Sequence, residues 1–106
     1  MESAKNYESE ISEVNYKKTA FYALINGKVQ GVGFRFFSAR KARRLGIKGW
    51  VKNLPSGEVE IWAEGTEKAL AQFYTWLHKG PIFARVNSIQ KDEKEQKVFE
   101  NFNVER

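Results

Sequence analysis

The feature that most constrains this chain is a seven-residue break, Gly27-Lys28-Val29-Gln30-Gly31-Val32-Gly33, between a β-prone run and a run with helical spacing. Before it, Thr19 to Ile25 places Phe21, Ala23 and Ile25 on one face and Tyr22 and Leu24 on the other, the period-two pattern of a strand. After it, Phe34, Phe37, Ser38, Ala42 and Leu45 recur at helical intervals up to Gly46. Three glycines let the backbone turn sharply and bring several N–H groups towards one point without interference from Cβ atoms. The loop runs straight into a helix N-terminus, where unpaired amides and the positive end of the helix dipole add to the same field. Such a junction can be a tight connection only, or a nest for an anion, and glycines alone leave both readings open.

The remaining pattern supplies the frame. The first strand is expected at about 18–26 and the first helix at about 34–45. Residues 47–53 read as a second strand, and Leu54-Pro55-Ser56-Gly57 as the turn of a hairpin. Glu58 to Glu64 alternates, which places Val59, Ile61 and Ala63 inward and Glu58, Glu60, Trp62 and Glu64 outward. Thr66 is a suitable N-cap, with Glu67 in the first turn, for a helix over 67–79. Its apolar stripe of Ala69, Leu70, Phe73, Trp76 and Leu77 stops at Gly80-Pro81. Two extended segments follow, near 83–92 and 97–105, with the polar stretch Lys91 to Gln96 between them. The order β-α-β-β-α-β with an added terminal strand predicts an α+β, ferredoxin-like split βαβ sandwich. Two helices would cover one face of an antiparallel sheet and leave the other face open.

At 106 residues the chain is sized for one domain, expected over 16–106, behind a polar Glu- and Ser-rich segment at 1–15 that reads as a flexible tail. Absence of cysteine removes disulfide scaffolds, iron–sulfur clusters and thiol catalysis, and a single histidine removes zinc sites of the Cys/His type. With no 18-residue apolar run and no signal-peptide pattern, the expected location is cytoplasmic and no membrane partner is expected. The net charge is +5, but residues 1–14 carry four glutamates and one lysine, so the rest of the chain carries +8. A body of that charge calls for an anionic partner, whether nucleic acid, an anionic membrane surface or a small phosphorylated molecule.

The glycine loop is neither of two familiar phosphate loops. Gly33 is followed by Phe34-Arg35 rather than Lys-Ser/Thr, and Gly31-Val32-Gly33-Phe34-Arg35-Phe36 lacks the third glycine of a dinucleotide fingerprint. What favours an anion is Arg35, which opposes the dipole in a first helical turn and can reach back over the amides as a planar fork for phosphate oxygens. The segments Val29-Gln30-Gly31-Val32-Gly33-Phe34-Arg35 and Gly49-Trp50-Val51-Lys52-Asn53-Leu54-Pro55-Ser56-Gly57, then Ala63-Glu64-Gly65, Gly80-Pro81 and Ala84-Arg85-Val86, resemble the acylphosphatase family from about residue 18 to the end. Lys28 and Ile82 depart from common choices in that family, away from the chemistry.

The resemblance implies a hydrolase that cleaves the carboxyl–phosphate anhydride of acyl phosphates to a carboxylate and inorganic phosphate. It implies no metal and no organic cofactor. The family's catalytic arginine falls on Arg35 and its catalytic asparagine on Asn53, with the phosphate-binding loop on Gln30, Gly31, Val32, Gly33 and Phe34. Read without it, Asn53 before Leu-Pro-Ser-Gly is ordinary turn chemistry. The expected partners are a small acyl phosphate and phosphate as product, with the chain acting as a monomer. The competing reading is an RNA module that stacks bases on Tyr22 and Trp62 of the open sheet face, and Glu58, Glu60 and Glu64 on that face argue against it. Arg40-Lys41-Ala42-Arg43-Arg44 reads as a solvated basic helix face, and His78 as a surface residue near a helix end.

Overall fold

The computed structural model describes residues 17–106, so the segment expected to be a tail lies outside the described residues. The elements are β1 (Lys18–Lys28), α1 (Phe34–Arg44), β2 (Lys48–Asn53), β3 (Val59–Thr66), α2 (Glu67–Lys79), β4 (Arg85–Lys94) and β5 (Phe102–Glu105). The sheet order is β4-β1-β3-β2-β5, in which the first four strands pair antiparallel as expected. The added strand β5 pairs parallel to β2, with Val51 opposite Val104, so the complete sheet is mixed.

The helix-facing core follows the alternation. Phe21, Ala23 and Ile25 of β1, Val51 of β2, and Val59, Ile61 and Ala63 of β3 bury against Phe34, Ala39 and Ala42 of α1 and Leu70, Phe73 and Leu77 of α2. Phe73 stacks on Phe21 and on Trp76 and meets Phe102 edge-on, with ring centroids 6.1–6.4 Å apart. Each such buried aromatic contributes about 1.5–3 kcal/mol. Thr66 caps α2 as expected, its Oγ1 accepting from Ala69 N at 3.1 Å. At Gly49, φ is +134° and a Cβ would lie 1.9 Å from the Trp62 carbonyl oxygen. A side chain there would push β2 off β3 and displace Asn53 at its end.

Two differences have physical causes. β4 includes Lys91 to Lys94, expected to separate two strands, because edge pairing with Ala20 to Ala23 uses backbone groups and leaves charged side chains in water. The Lys91 ammonium also lies 4.7 Å from the centre of the Tyr74 ring. The second difference corrects the outward assignment of Trp62 and Glu64. Because β4 and β5 lie at opposite edges, the chain between them crosses the helix-free face, and it buries both side chains, to 6% and 1% exposure. Trp62 Nε1 donates to Glu64 Oε2 at 2.9 Å, Phe99 N to Oε1 at 2.8 Å and Lys97 N to Oε2, while Lys97 Nζ sits 4.3 Å from the Trp62 ring centre. Trp62 is therefore not available for base stacking. Glu60 remains half-buried and accepts from Tyr22 Oη at 2.6 Å. Burial, then the Glu60 hydrogen bond and charge, push the Tyr22 phenol up to about 12.

Burial alone would raise the Glu64 carboxyl, but donation from the Trp62 indole and from the amides of Phe99, Lys97 and Val98 outweighs it and holds the group below its ordinary value. Val98, between those amides, has φ +63°, a left-handed conformation that a β-branched residue adopts only under restraint. A carboxyl depressed in the folded state contributes stability above its unfolded value near 4.5, and that contribution is lost as pH falls through the folded value. Glu64→Gln is expected to lose about 2 kcal/mol at pH 7. In urea titrations the gap between parent and variant should narrow as pH falls below that unfolded value.

Candidate active site

The glycine loop ends at Gly33, the N-cap of α1, with φ +78° and no side-chain capping bond. A Cβ on Gly33 would need φ space that L residues avoid and would lie 3.1 Å from the Phe37 ring. α1 has no acidic residue in its first turn and has Lys41, Arg43 and Arg44 in its last. The contrast with α2, capped by Thr66 and carrying Glu67, leaves the α1 N-terminus as the helix end that presents its amides without a side-chain acceptor.

These amides border a cleft of about 270 Å³. Gly31, Gly33, Phe34 and Arg35 line it, and so does Asn53, 18 positions further on. The structure thus brings together the expected arginine, asparagine and most of the loop. Gln30 and Val32 are the exceptions. Val32 packs against the core, and Gln30 turns its side chain to the β2–β3 hairpin, where Nε2 donates to Leu54 O at 2.8 Å and Glu58 O at 2.9 Å. Gln30 therefore ties the loop to the turn that follows Asn53.

Arg35 is half-buried, and its Nη1 donates to the Glu105 carbonyl of β5 at 3.0 Å. It supplies the one charged side chain among the described cleft-lining residues. Asn53 ends β2 with its Oδ1 buried and without a hydrogen-bond partner among the described residues. A buried carbonyl oxygen left unpaired costs about 1–3 kcal/mol, the kind of deficit that persists where a ligand can be received. One cleft is thus lined by a guanidinium, by the uncapped start of a helix and by an asparagine whose side-chain oxygen has no partner among the described residues.

The sequence profile of the Acylphosphatase family matches residues 21–104. The chain belongs to the acylphosphatase family. That makes it a hydrolase acting on acid anhydrides. The acylphosphatase of Actinobacillus succinogenes is 46% identical over 83 residues, covering 77% of this chain and 92% of that protein. That of Archaeoglobus fulgidus is 48% identical over 80 residues, covering 76% and 90%. The crystal structure of acylphosphatase from Bacillus subtilis superposes with a TM-score of 0.81 at 36% identity, covering 83% of this chain and 99% of that one. Full-length HypF, solved in a phosphate- and nucleotide-bound form, contains a similar unit, with TM-score 0.80 and 34% identity over 86% of this chain and 12% of its own.

Several contributors to this acylphosphatase site were not visible in the sequence. Val104 lines the cleft and Glu105 holds Arg35 only because β5 joins the β2 edge. Arg43, expected on a solvated face, donates through Nε and Nη2 to the Phe102 carbonyl at 3.1 and 2.8 Å and so fastens α1 to that same strand. His78, the lone histidine, is exposed and meets Tyr74 edge-on at 4.6 Å, outside the cleft. No helix among the described residues is long and apolar enough to cross a membrane. Gln30→Ala removes both ties between loop and hairpin and is expected to lower stability by about 2 kcal/mol in urea titrations. Turnover should fall further than phosphate affinity, because Asn53 shifts relative to the loop.

Proposed function

We propose that this cleft hydrolyses the carboxyl–phosphate anhydride of acyl phosphates, with Arg35 and the loop amides of residues 30–34 holding the phosphoryl group and Asn53 placing the attacking water. The observation that carries the assignment is that Asn53, whose buried Oδ1 has no partner among the described residues, lines the same small cleft as Arg35 and Gly33.

The substrate makes so sparse a site sufficient. A departing carboxylate has a conjugate acid near pKa ~4, so it leaves without protonation and needs no general acid. The phosphoryl group passes through a loose transition state with charge on its equatorial oxygens. Fixed amides and a guanidinium oppose that charge without reorganising. Asn53 Oδ1 accepts one water O–H, which turns a lone pair of that water towards phosphorus. As the new P–O bond forms, the bond from phosphorus to the acyl oxygen breaks and its electron pair leaves with the carboxylate. The acyl phosphate dianion and water thus become a carboxylate and dihydrogen phosphate, with both water protons on the phosphate product. No residue changes protonation state overall.

Hydrolysis of a generic acyl phosphate, with inorganic phosphate as a competitive inhibitor and a chelator without effect, is the direct test. Arg35→Ala is expected to lower kcat/KM by about 10³-fold or more and to abolish inhibition by phosphate. Asn53→Ala should lose about 10²-fold or more in kcat while keeping most of its phosphate affinity. Unchanged turnover in Asn53→Ala would remove the water-placing role.

A further inference from the structure

The excess positive charge of this chain is not spread evenly over it. Segments 27–46 and 78–90 hold eight lysines and arginines and no acidic residue, whereas the other residues beyond position 14 hold nine cations and nine carboxylates. The same two segments hold Phe36, Phe37, Ile82 and Phe83, four of the six large apolar side chains exposed among the described residues. They also meet in space. Phe34, the first residue of α1, has its ring against Gly80, where a Cβ would lie 2.9 Å from it, so the turn after α2 sits beside the start of α1. Ala84 N donates to Pro81 O at 2.9 Å and closes that turn, which puts Ile82 and Phe83 at its two corners, 91% and 73% exposed. Corner positions of turns usually carry small or polar residues. Along α1 the buried positions are Phe34, Ser38, Ala39 and Ala42, and the side turned to water carries Phe36, Phe37, Arg40 and Arg44.

A surface that is apolar at its tips and cationic around them suits a partner that is anionic on the outside and apolar beneath. We propose that the turn at 81–84 and the outer face of α1 dock on an anionic lipid bilayer, with Ile82 and Phe83 entering the headgroup layer and Arg40, Arg44 and Lys79 set against the lipid phosphates and carboxylates. No spanning segment is required for this. A fluid bilayer closes round separate protrusions, whereas a folded protein would need a hollow shaped for each corner of the turn. Nucleic acid would offer its bases to the phenylalanine rings and nothing to Ile82, the most exposed of the four. Because the remainder of the body is electrically balanced, a charged plane turns the molecule to this one side. Each lysine or arginine brought to such a plane strengthens binding about fivefold.

The test is sedimentation of the full chain with vesicles of phosphatidylcholine, with and without about 30% phosphatidylserine. The protein should bind the anionic vesicles, stay in solution with the neutral ones, and be released as salt rises. Arg40→Gln combined with Arg44→Gln should weaken the partition about tenfold or more, while Lys68→Gln combined with Lys94→Gln, which removes the same charge from exposed positions elsewhere, should change it less than about twofold. Ile82→Ser combined with Phe83→Ser should weaken it about tenfold at unchanged charge. All of these positions are exposed, so the urea midpoints of the variants should match that of the parent. No binding to anionic vesicles would overturn the proposal. So would binding that the serine pair leaves unchanged, since charge alone would then account for it. Retention of a single-stranded oligonucleotide by a protein that does not bind the vesicles would overturn it as well and give the surface to nucleic acid.

Discussion

A carboxylate buried to 1% exposure has to be paired, and the way Glu64 is paired determines much of the rest of this structure. Its acceptors are filled by the Trp62 indole and by the amides of Lys97 and Phe99, so the segment after β4 is drawn across the helix-free face of the sheet. That crossing delivers Phe102 into the core and lays β5 along the outer edge of β2. From there Val104 reaches the cleft and the Glu105 carbonyl receives the Arg35 guanidinium. A charge on one side of the sheet thereby helps to place a charge at the other end of the fold.

The cleft itself depends on a second, smaller set of polar ties. Gln30 holds the loop to the hairpin, Arg43 holds α1 to the Phe102 carbonyl, and β2 holds Asn53. Each uses a backbone carbonyl as acceptor, so the geometry is set by the fold more than by particular side-chain pairs. This suits a reaction in which nothing has to move a proton against its tendency. The scarcity of histidine and the absence of cysteine fit a substrate that is already activated, and what the site requires is rigid placement of a few dipoles and one cation.

Much of the frame was legible because local signals agreed with one another. Thr66, Glu67 and Gly80 bracket a helix over 67–79, and the structure has that helix at the same limits. Leu54-Pro55-Ser56-Gly57 closes the hairpin through the bond from Gly57 N to Leu54 O at 3.1 Å. β3 was legible on one face only. Val59, Ile61 and Ala63 lie inside as their alternation requires, but the same alternation sent Trp62 and Glu64 to solvent, and they are buried. Periodicity reports which residues share a face, and whether a second layer covers that face depends on chain arriving from more than thirty residues away.

By itself the sequence determined the order of elements, the helix-facing core and the residue types a phosphoryl site needs, because glycine, capping and apolar spacing act over a few residues along the chain. Gly31, Gly33, Arg35 and Asn53 could be named from it, the last only through a family motif. Tertiary structure decided that Asn53 and Arg35 share one cleft, that Gln30 is a tie to the hairpin, and that Val104 of the last strand lines that cleft. Those outcomes hang on the parallel docking of β5 against β2, and strand order is set by contacts between distant segments, for which no local spacing carries a signal.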